Sequence, residues 1–210
     1  MVIVGDRPAA KRVWELFAEL LEYPRESPVG AVRECRALTG TVPSNAEAKL
    51  AEFQSFAEEA SLGRLQEEYT RAFDMDESHS LDVGFHLLGE TYKRSALLLE
   101  FKERYRAHGI DVAGELADHL PVVLRLLAAS DDPELTDEIV GEAVRPMLEM
   151  MERKDEDPVE GEEDEGFRPP AAPLPYHGLL TALLLVVREV PTGDRPSPAQ
   201  DGGAVTHSST

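Results

Sequence analysis

Apolar residues recur at helical spacing through most of the chain. In the stretch AAKRVWELFAELLEY, residues Val13, Trp14, Phe17, Leu20 and Leu21 share one helical face. Similar apolar stripes run through residues 44–60, 61–74, 81–108, 109–130, 132–153 and 177–190. No alternating apolar and polar run bounded by hairpin turns stands out. The pattern therefore predicts helices and no sheet.

Proline and glycine residues divide these stripes into separate helices. Pro24, Gly40 and Gly109 each follow an apolar stripe and predict a helix end, while Pro146 predicts a kink or break inside its stripe. We therefore expect an all-α, single-domain helical bundle over residues 8–190. Typical helix lengths imply roughly seven to nine helices.

Two segments lack a pattern that would form a core. Residues 155–175 are acidic and rich in proline, which predicts a loop or linker. Residues 191–210 contain small and polar residues with no apolar periodicity, which predicts a disordered tail.

The net charge is strongly negative, with 41 acidic against 21 basic residues and a formal charge of −20. Such a chain repels the phosphates of nucleic acids and anionic lipids and favours basic partners, although a salt-adapted or generally acidic proteome would give the same bias. The single Cys35 fits a reducing compartment, and there is neither a secretory signal pattern nor an apolar run of about 18 residues. We expect a cytoplasmic protein that neither binds nucleic acid nor inserts into a membrane.

Motifs of catalysis are absent from the sequence. There is no glycine-rich phosphate loop, no GxSxG elbow and no CxxC pair. Cys35 lies between Arg33 and Arg36, and a nearby cation can lower the pKa of a thiol, but a lone helical cysteine is typical of a small buried hydrophobe. We therefore expect no catalytic cysteine, no cofactor and no metal site, apart from the alternative constellation described next.

The segment HSLDVGFHLLGE offers the one constellation that resembles an enzyme site. His79, Asp82, His86 and Glu90 are separated by three, four and four residues, so a continuous helix would align them as possible metal ligands or acid–base groups. A dimetal bundle would need carboxylates and histidines from further helices, and Gly84 and Gly89 weaken the prediction of one unbroken helix here. Structural, peptide-binding and metal-binding roles all remain open for this stripe.

A second polar group lies in ELADHLPVVL. Adjacent helical residues point about 100° apart, so Asp118 and His119 are not a matched catalytic pair, whereas Glu115 and His119 would face each other on a helix. Pro121 predicts that a helix begins or kinks near His119. Asp118 is then either an N-cap beside a core histidine or part of a groove that binds a basic or polar peptide.

These segments carry a resemblance to a known family. ELADHLPVVLRLLA resembles the E-x-x-D-H-(L/I)-P segment of the TorD/DmsD/NarJ superfamily of redox-enzyme maturation chaperones. LQEEYTRAFDMDESHSLDVGFHLLGE resembles the NarJ type, with E-Y-x-x-x-F-D, then H-S-L, then H-x-x-G-E. FAELLEYP also fits the opening helix of that group. The order and spacing of the motifs make the resemblance specific over about residues 13–127.

The resemblance implies an all-helical cytoplasmic chaperone that is not an enzyme. Such a protein binds the N-terminal segment of a molybdoenzyme catalytic subunit similar to nitrate reductase. It holds that subunit for insertion of the molybdenum cofactor before membrane attachment or export, and is not part of the final enzyme. By motif, the implied peptide-binding residues are Tyr69, Phe73, His86, Gly89, Glu90, Asp118 and His119. Glu115, the first residue of the E-x-x-D-H motif, is added to this set.

Several properties stay open at the level of sequence. Nitrate, perchlorate, selenate and related reductases have similar helpers, so the client is not specified. The oligomeric state is equally open. A metal-binding helical-bundle enzyme that uses His79, Asp82, His86 and Glu90 is the first alternative function. Guanine-nucleotide binding, suggested within the superfamily, is a second alternative that the missing phosphate loop disfavours.

Overall fold

The computed structural model describes residues 7–40, 45–112, 114–156 and 174–190, and these residues form an all-α fold. The helices are α1 (Arg7–Leu20), α2 (Val29–Thr39), α3 (Ala46–Glu59), α4 (Leu62–Phe73), α5 (Val83–Leu88), α6 (Tyr92–His108), α7 (Leu120–Ala129), α8 (Pro133–Ile139), α9 (Arg145–Glu156) and α10 (Pro175–Arg188). A 3₁₀ turn (Glu77–His79) precedes α5 and a π turn (Val140–Val144) joins α8 to α9. The prediction of an all-α bundle is confirmed.

Helix ends follow the glycine and proline signals closely. α1 ends at Leu20, ahead of Pro24, and α2 begins directly after Pro28 and ends directly before Gly40. α6 ends at His108, and its C-cap residue Gly109 adopts the left-handed conformation with φ 67°. Glycine has no Cβ and adopts this conformation at no steric cost, so the helix stops where the sequence indicated.

Two expected helices are interrupted. The segment 81–108 is two helices rather than one, because the chain turns at Gly89 with φ 60° between α5 and α6. Near Pro146, the expected break takes the form of the π turn that ends at Val144. Proline offers no amide hydrogen to the preceding turn, so the widened turn lies where regular α-helical bonding is lost.

The core lies between α1, α3, α7 and α10. α1 packs against α7 and α2, and α10 packs against α3, α9 and α4. α10 buries Leu179, Leu183 and Val187 among others, consistent with its nearly continuous apolar sequence. By contrast, α6 packs against α5 and α7, and Phe101 and Tyr105 are its only buried residues.

Parts of the predicted organisation fall outside the described residues. α9 continues to Glu156 and α10 begins at Pro175, so the predicted acidic loop lies almost entirely in the undescribed interval. The predicted tail, residues 191–210, also lies there. The single-domain extent of residues 8–190 stays a prediction.

Candidate functional site

The two motif segments that carry the family resemblance meet in space. Asp82 and His119 form an isolated antiparallel bridge, in which the Val83 amide donates to the Asp118 carbonyl at 2.9 Å and the Leu120 amide donates to the Leu81 carbonyl at 2.8 Å. The bridge fastens the start of α5 to the start of α7. Residues far apart in the sequence therefore form one local structure.

Asp118 lies beneath this bridge and is completely buried. Its Oδ2 accepts hydrogen bonds from the Gly84 amide at 3.0 Å and from Arg94 Nε at 2.8 Å, and its Oδ1 is 3.3 Å from Arg94 Nη2. The N-cap of α7 is His119, and no side-chain cap bond is formed there. The interpretation of Asp118 as the N-cap of its own helix is therefore wrong, because its carboxylate binds α5 and α6 instead.

Arg94 connects Asp118 to a second carboxylate, that of Asp82. Arg94 Nη2 lies 2.9 Å from Asp82 Oδ2, and His119 Nδ1 lies 3.5 Å from Asp82 Oδ1. The His119 ring and the Arg94 guanidinium hold the pKa of Asp82 below its usual value, against the opposing effect of burial. We call Asp82, Arg94, Asp118 and His119 the buried network. Sequence reasoning missed Arg94. The available signal was its position four residues after Glu90 of H-x-x-G-E, in the same segment as the partly buried Asp82.

The histidine and carboxylate stripe does not converge on one point. His79 Nδ1 lies 2.9 Å from Asp76 Oδ2, Asp82 belongs to the buried network, and Glu90 is exposed in the turn before α6. His86 Nε2 donates to the Ser80 carbonyl at 2.7 Å. Within the described ranges, these side chains do not form a set of converging metal ligands. The continuous helix that the alternative required is broken at Gly89.

Burial also changes the chemistry of His86. Burial lowers the pKa of its imidazole, with a smaller opposing effect from the hydrogen bond to the Ser80 carbonyl. The ring is therefore neutral at pH 7, with Nε2 as its protonated nitrogen. His86 supports the segment before α5 and is only slightly exposed.

The two aromatic residues of the E-Y-x-x-x-F-D motif lie in the core. Tyr69 and Phe73 are 5% and 6% exposed, and their ring centroids lie 4.9 Å apart in an edge-on arrangement. Tyr176 from α10 contacts both rings edge-on, at 5.4 and 5.6 Å. The Tyr69 hydroxyl donates to the Leu21 carbonyl at 3.1 Å. Tyr176, which no motif indicated, therefore anchors α10 on the aromatic end of α4.

Glu115 lies in a turn before α7 rather than on a helix with His119. The expected i, i+4 pairing of these two side chains is therefore wrong. Glu115 is exposed. Burial raises the pKa of Tyr69, and the charges of Asp74 and Glu115 raise it further. Glu115 therefore lies close enough to α4 to interact electrostatically with Tyr69. Tyr105 donates to the Ala117 carbonyl at 2.6 Å and fixes the end of this turn.

Large apolar side chains are exposed on the same segments of the chain. Leu116 is 49% exposed beside Glu115, and Tyr92 is 81% exposed two residues after Glu90. Leu99 on α6 and Met75 after α4 are 57% and 76% exposed. Isolated exposed apolar residues are ordinary on protein surfaces, and these four are close to the motif residues in sequence. We call Glu90 and Glu115 the acidic rim.

These features describe a helical protein with a buried ionic network, in which exposed acidic and apolar side chains lie near the motif residues in sequence. A model of the family described as nitrate reductase delta subunit matches residues 40–158, more than half of the 210 residues. The chain belongs to this family, whose members are assembly chaperones of molybdoenzymes of the NarJ type and not catalysts. No curated protein shows significant similarity to the chain. None of the described helices is long and apolar enough to cross a membrane.

Proposed function

We propose that this chaperone binds the N-terminal segment of a nitrate reductase-like catalytic subunit in the cytoplasm. It holds that segment while the molybdenum cofactor is inserted, before membrane attachment or export, and then dissociates from the finished enzyme. The chaperone itself performs no reaction. The observation that carries the proposal is that the H-S-L-D and E-x-x-D-H motifs, both within the family match, meet at the Asp82–His119 bridge.

The proposed binding surface surrounds this bridge. Exposed Leu116 and Tyr92 supply apolar contact area, and aromatic or aliphatic anchors dominate the affinity of most interfaces. Glu90 and Glu115, the acidic rim, orient basic residues of the client. A net charge of −20 further favours a basic segment and accelerates its association.

The buried members of the motifs have a different role in this proposal. Asp118 is already bound by Arg94 and Gly84, so it positions the surface rather than contacting the client. Tyr69 and Phe73 support the surface from the core, and His86 supports the segment before α5. Gly89 permits the sharp turn that presents Glu90.

Calorimetry with a synthetic peptide tests the proposal. The peptide is the N-terminal segment of the catalytic subunit from the same organism, titrated into wild type and into the double variant Glu90→Gln with Glu115→Gln. Exposed charge pairs contribute about 0.2–1 kcal/mol each, so we expect roughly 2- to 30-fold weaker binding. The loss should shrink at high salt, because the Debye length falls to about 3 Å at 1 M.

A matched variant separates the acidic rim from total charge. Glu52→Gln with Glu59→Gln removes two exposed carboxylates from α3 and should leave the affinity near that of wild type. Equal losses in the two double variants would contradict the location of the surface. Failure of wild type to bind the peptide at all would contradict the function itself.

A second pair of variants tests the apolar contacts. Leu116→Ser should weaken peptide binding by about tenfold or more, because it removes a partly exposed aliphatic side chain from the proposed surface. Leu62→Ser is the control, since Leu62 is 40% exposed at the start of α4. Equal affinities in the two variants would exclude Leu116 from the binding surface.

A further inference from the structure

Three potential metal ligands meet where α10 approaches the turn between α4 and α5. Asp76 directly precedes the 3₁₀ turn and His79 is the last residue of that turn. His177 lies in the first turn of α10. One ligand atom from each residue lies within 4.8 Å of the other two. The imidazole rings of His79 and His177 are stacked, with centroids 3.8 Å apart and an interplanar angle of 18°.

The chemistry of this group suits a divalent transition metal. Two imidazole nitrogens and a carboxylate oxygen are common ligands of Zn²⁺, which binds at about 2.0–2.2 Å to each, so coordinating atoms lie roughly 3–4 Å apart. The three ligand atoms lie within 4.8 Å of one another, so binding would draw them closer together. The two imidazole rings would also have to turn out of their stacked arrangement, so that one nitrogen of each points to the ion. Hard ions such as Mg²⁺ and Ca²⁺ favour oxygen-only sites, so the two histidines select against them.

The local structure holds two of the ligands in place. The Ser78 amide donates to Asp76 Oδ1 at 2.9 Å, and His79 Nδ1 lies 2.9 Å from Asp76 Oδ2. His79 is only 3% exposed, whereas Asp76 and His177 are partly exposed, so water could reach the ion from the side of these two residues. Ser78 lies outside the proposed ligand set, and contacts from such residues orient metal ligands and strengthen binding.

We propose that Asp76, His79 and His177 bind one Zn²⁺-like divalent transition-metal ion, with water at the remaining position. The ligands come from parts of the chain that are distant in sequence, so the ion would fasten α10 to the turn after α4. α10 also carries Tyr176, whose ring packs on Tyr69 and Phe73. Metal binding would therefore stabilise the native fold by acting on the folded state alone. This inference does not depend on peptide binding.

Direct titration of untagged full-length protein with zinc chloride tests the site. After chelator treatment and buffer exchange, calorimetry should show one Zn²⁺ per chain, and substitution with Co²⁺ should give visible d–d absorption bands. His177→Gln should weaken binding at least about 100-fold, because loss of even an outer-shell partner commonly costs 10- to 100-fold. The thermal midpoint of wild type, but not of His177→Gln, should rise with added Zn²⁺.

His108→Gln provides the matched control, because His108 is exposed at the end of α6. Its zinc affinity should equal that of wild type. Equal zinc binding in wild type, His177→Gln and His108→Gln would overturn the site and indicate adsorption to the acidic surface. Absence of binding by wild type would also overturn it.

A measurement on wild type tests the site even if His177→Gln does not fold. X-ray absorption of the zinc-loaded protein should show nitrogen and oxygen ligands with the scattering of two imidazoles. A shell without imidazole scattering would overturn the assignment even if zinc binds with unit stoichiometry. His79→Gln is a second, independent variant, and we expect it to lose zinc binding while it retains its helical content.

Discussion

Replacing Asp118 by alanine should destabilise the protein more than the loss of any surface ion pair. The substitution removes the acceptor of the Gly84 amide and of Arg94 at a position with no solvent exposure. Removing one partner of a buried ion pair typically costs about 3–5 kcal/mol. Arg94 retains Asp82 at 2.9 Å, so its charge keeps one counter-ion. We therefore expect a loss of about 3 kcal/mol in the free energy of unfolding.

Urea denaturation at pH 7, followed by far-ultraviolet circular dichroism, measures this loss. Asp118→Asn should lie between wild type and Asp118→Ala, because the amide oxygen still accepts one hydrogen bond but the negative charge is lost. Asp131→Asn is the control: its carboxylate pairs with Lys11 at 2.6 Å but is 82% exposed, so the variant should match wild type. The reasoning is refuted if Asp118→Ala and Asp131→Asn unfold at the same urea concentration.

Two further predictions concern the packing and protonation around the network. Gly84→Ala should cost about 1–3 kcal/mol of unfolding free energy, because the added methyl would lie 2.7 Å from Asp118 Oδ2, whereas Gly63→Ala meets no neighbour within 4 Å and should leave the urea midpoint unchanged or raised. Equal midpoints for the two alanine variants would contradict the close packing. Burial lowers the pKa of His86 in the folded protein below its value in the unfolded chain. As the pH drops below about 6.5, His86 therefore takes up a proton in the unfolded chain before it does so in the folded protein, and the free energy of unfolding should fall. Urea titrations at pH 7.5 and pH 5.5 should show a smaller pH effect in His86→Gln than in wild type, and an identical effect would contradict this assignment.

The fold was largely predictable because its signals are local. Apolar spacing indicates helices, and Gly40 and Gly109 end α2 and α6 where their sequence positions suggest. The break at Gly89 was harder to place, since an isolated glycine inside an apolar stripe is tolerated in many helices. The break depends on tertiary contacts, because α6 packs against α7 and Arg94 of α6 binds Asp118.

The arrangement of the motif residues was not predictable from the sequence. The motifs identified Asp118 and His119, yet whether Asp118 caps its own helix or binds a distant arginine depends on tertiary contacts. The same holds for His177, whose proximity to His79 follows from the docking of α10 on the turn after α4. No spacing rule links residues that come together only through folding.

The charge balance of the buried network indicates where a basic client residue would be attracted. Arg94 carries one positive charge and contacts the carboxylates of Asp82 and Asp118, so these three side chains carry a formal net charge of −1. Asp118 is fully buried, whereas the Asp82 side chain is 24% exposed beside His119 at 18%. The uncompensated charge is thus accessible at Asp82 and not at Asp118. In the proposed complex, Asp82 and the acidic rim attract the client's basic side chains. Because Arg94 also pairs with Asp118, its single positive charge does not fully balance the charge of Asp82.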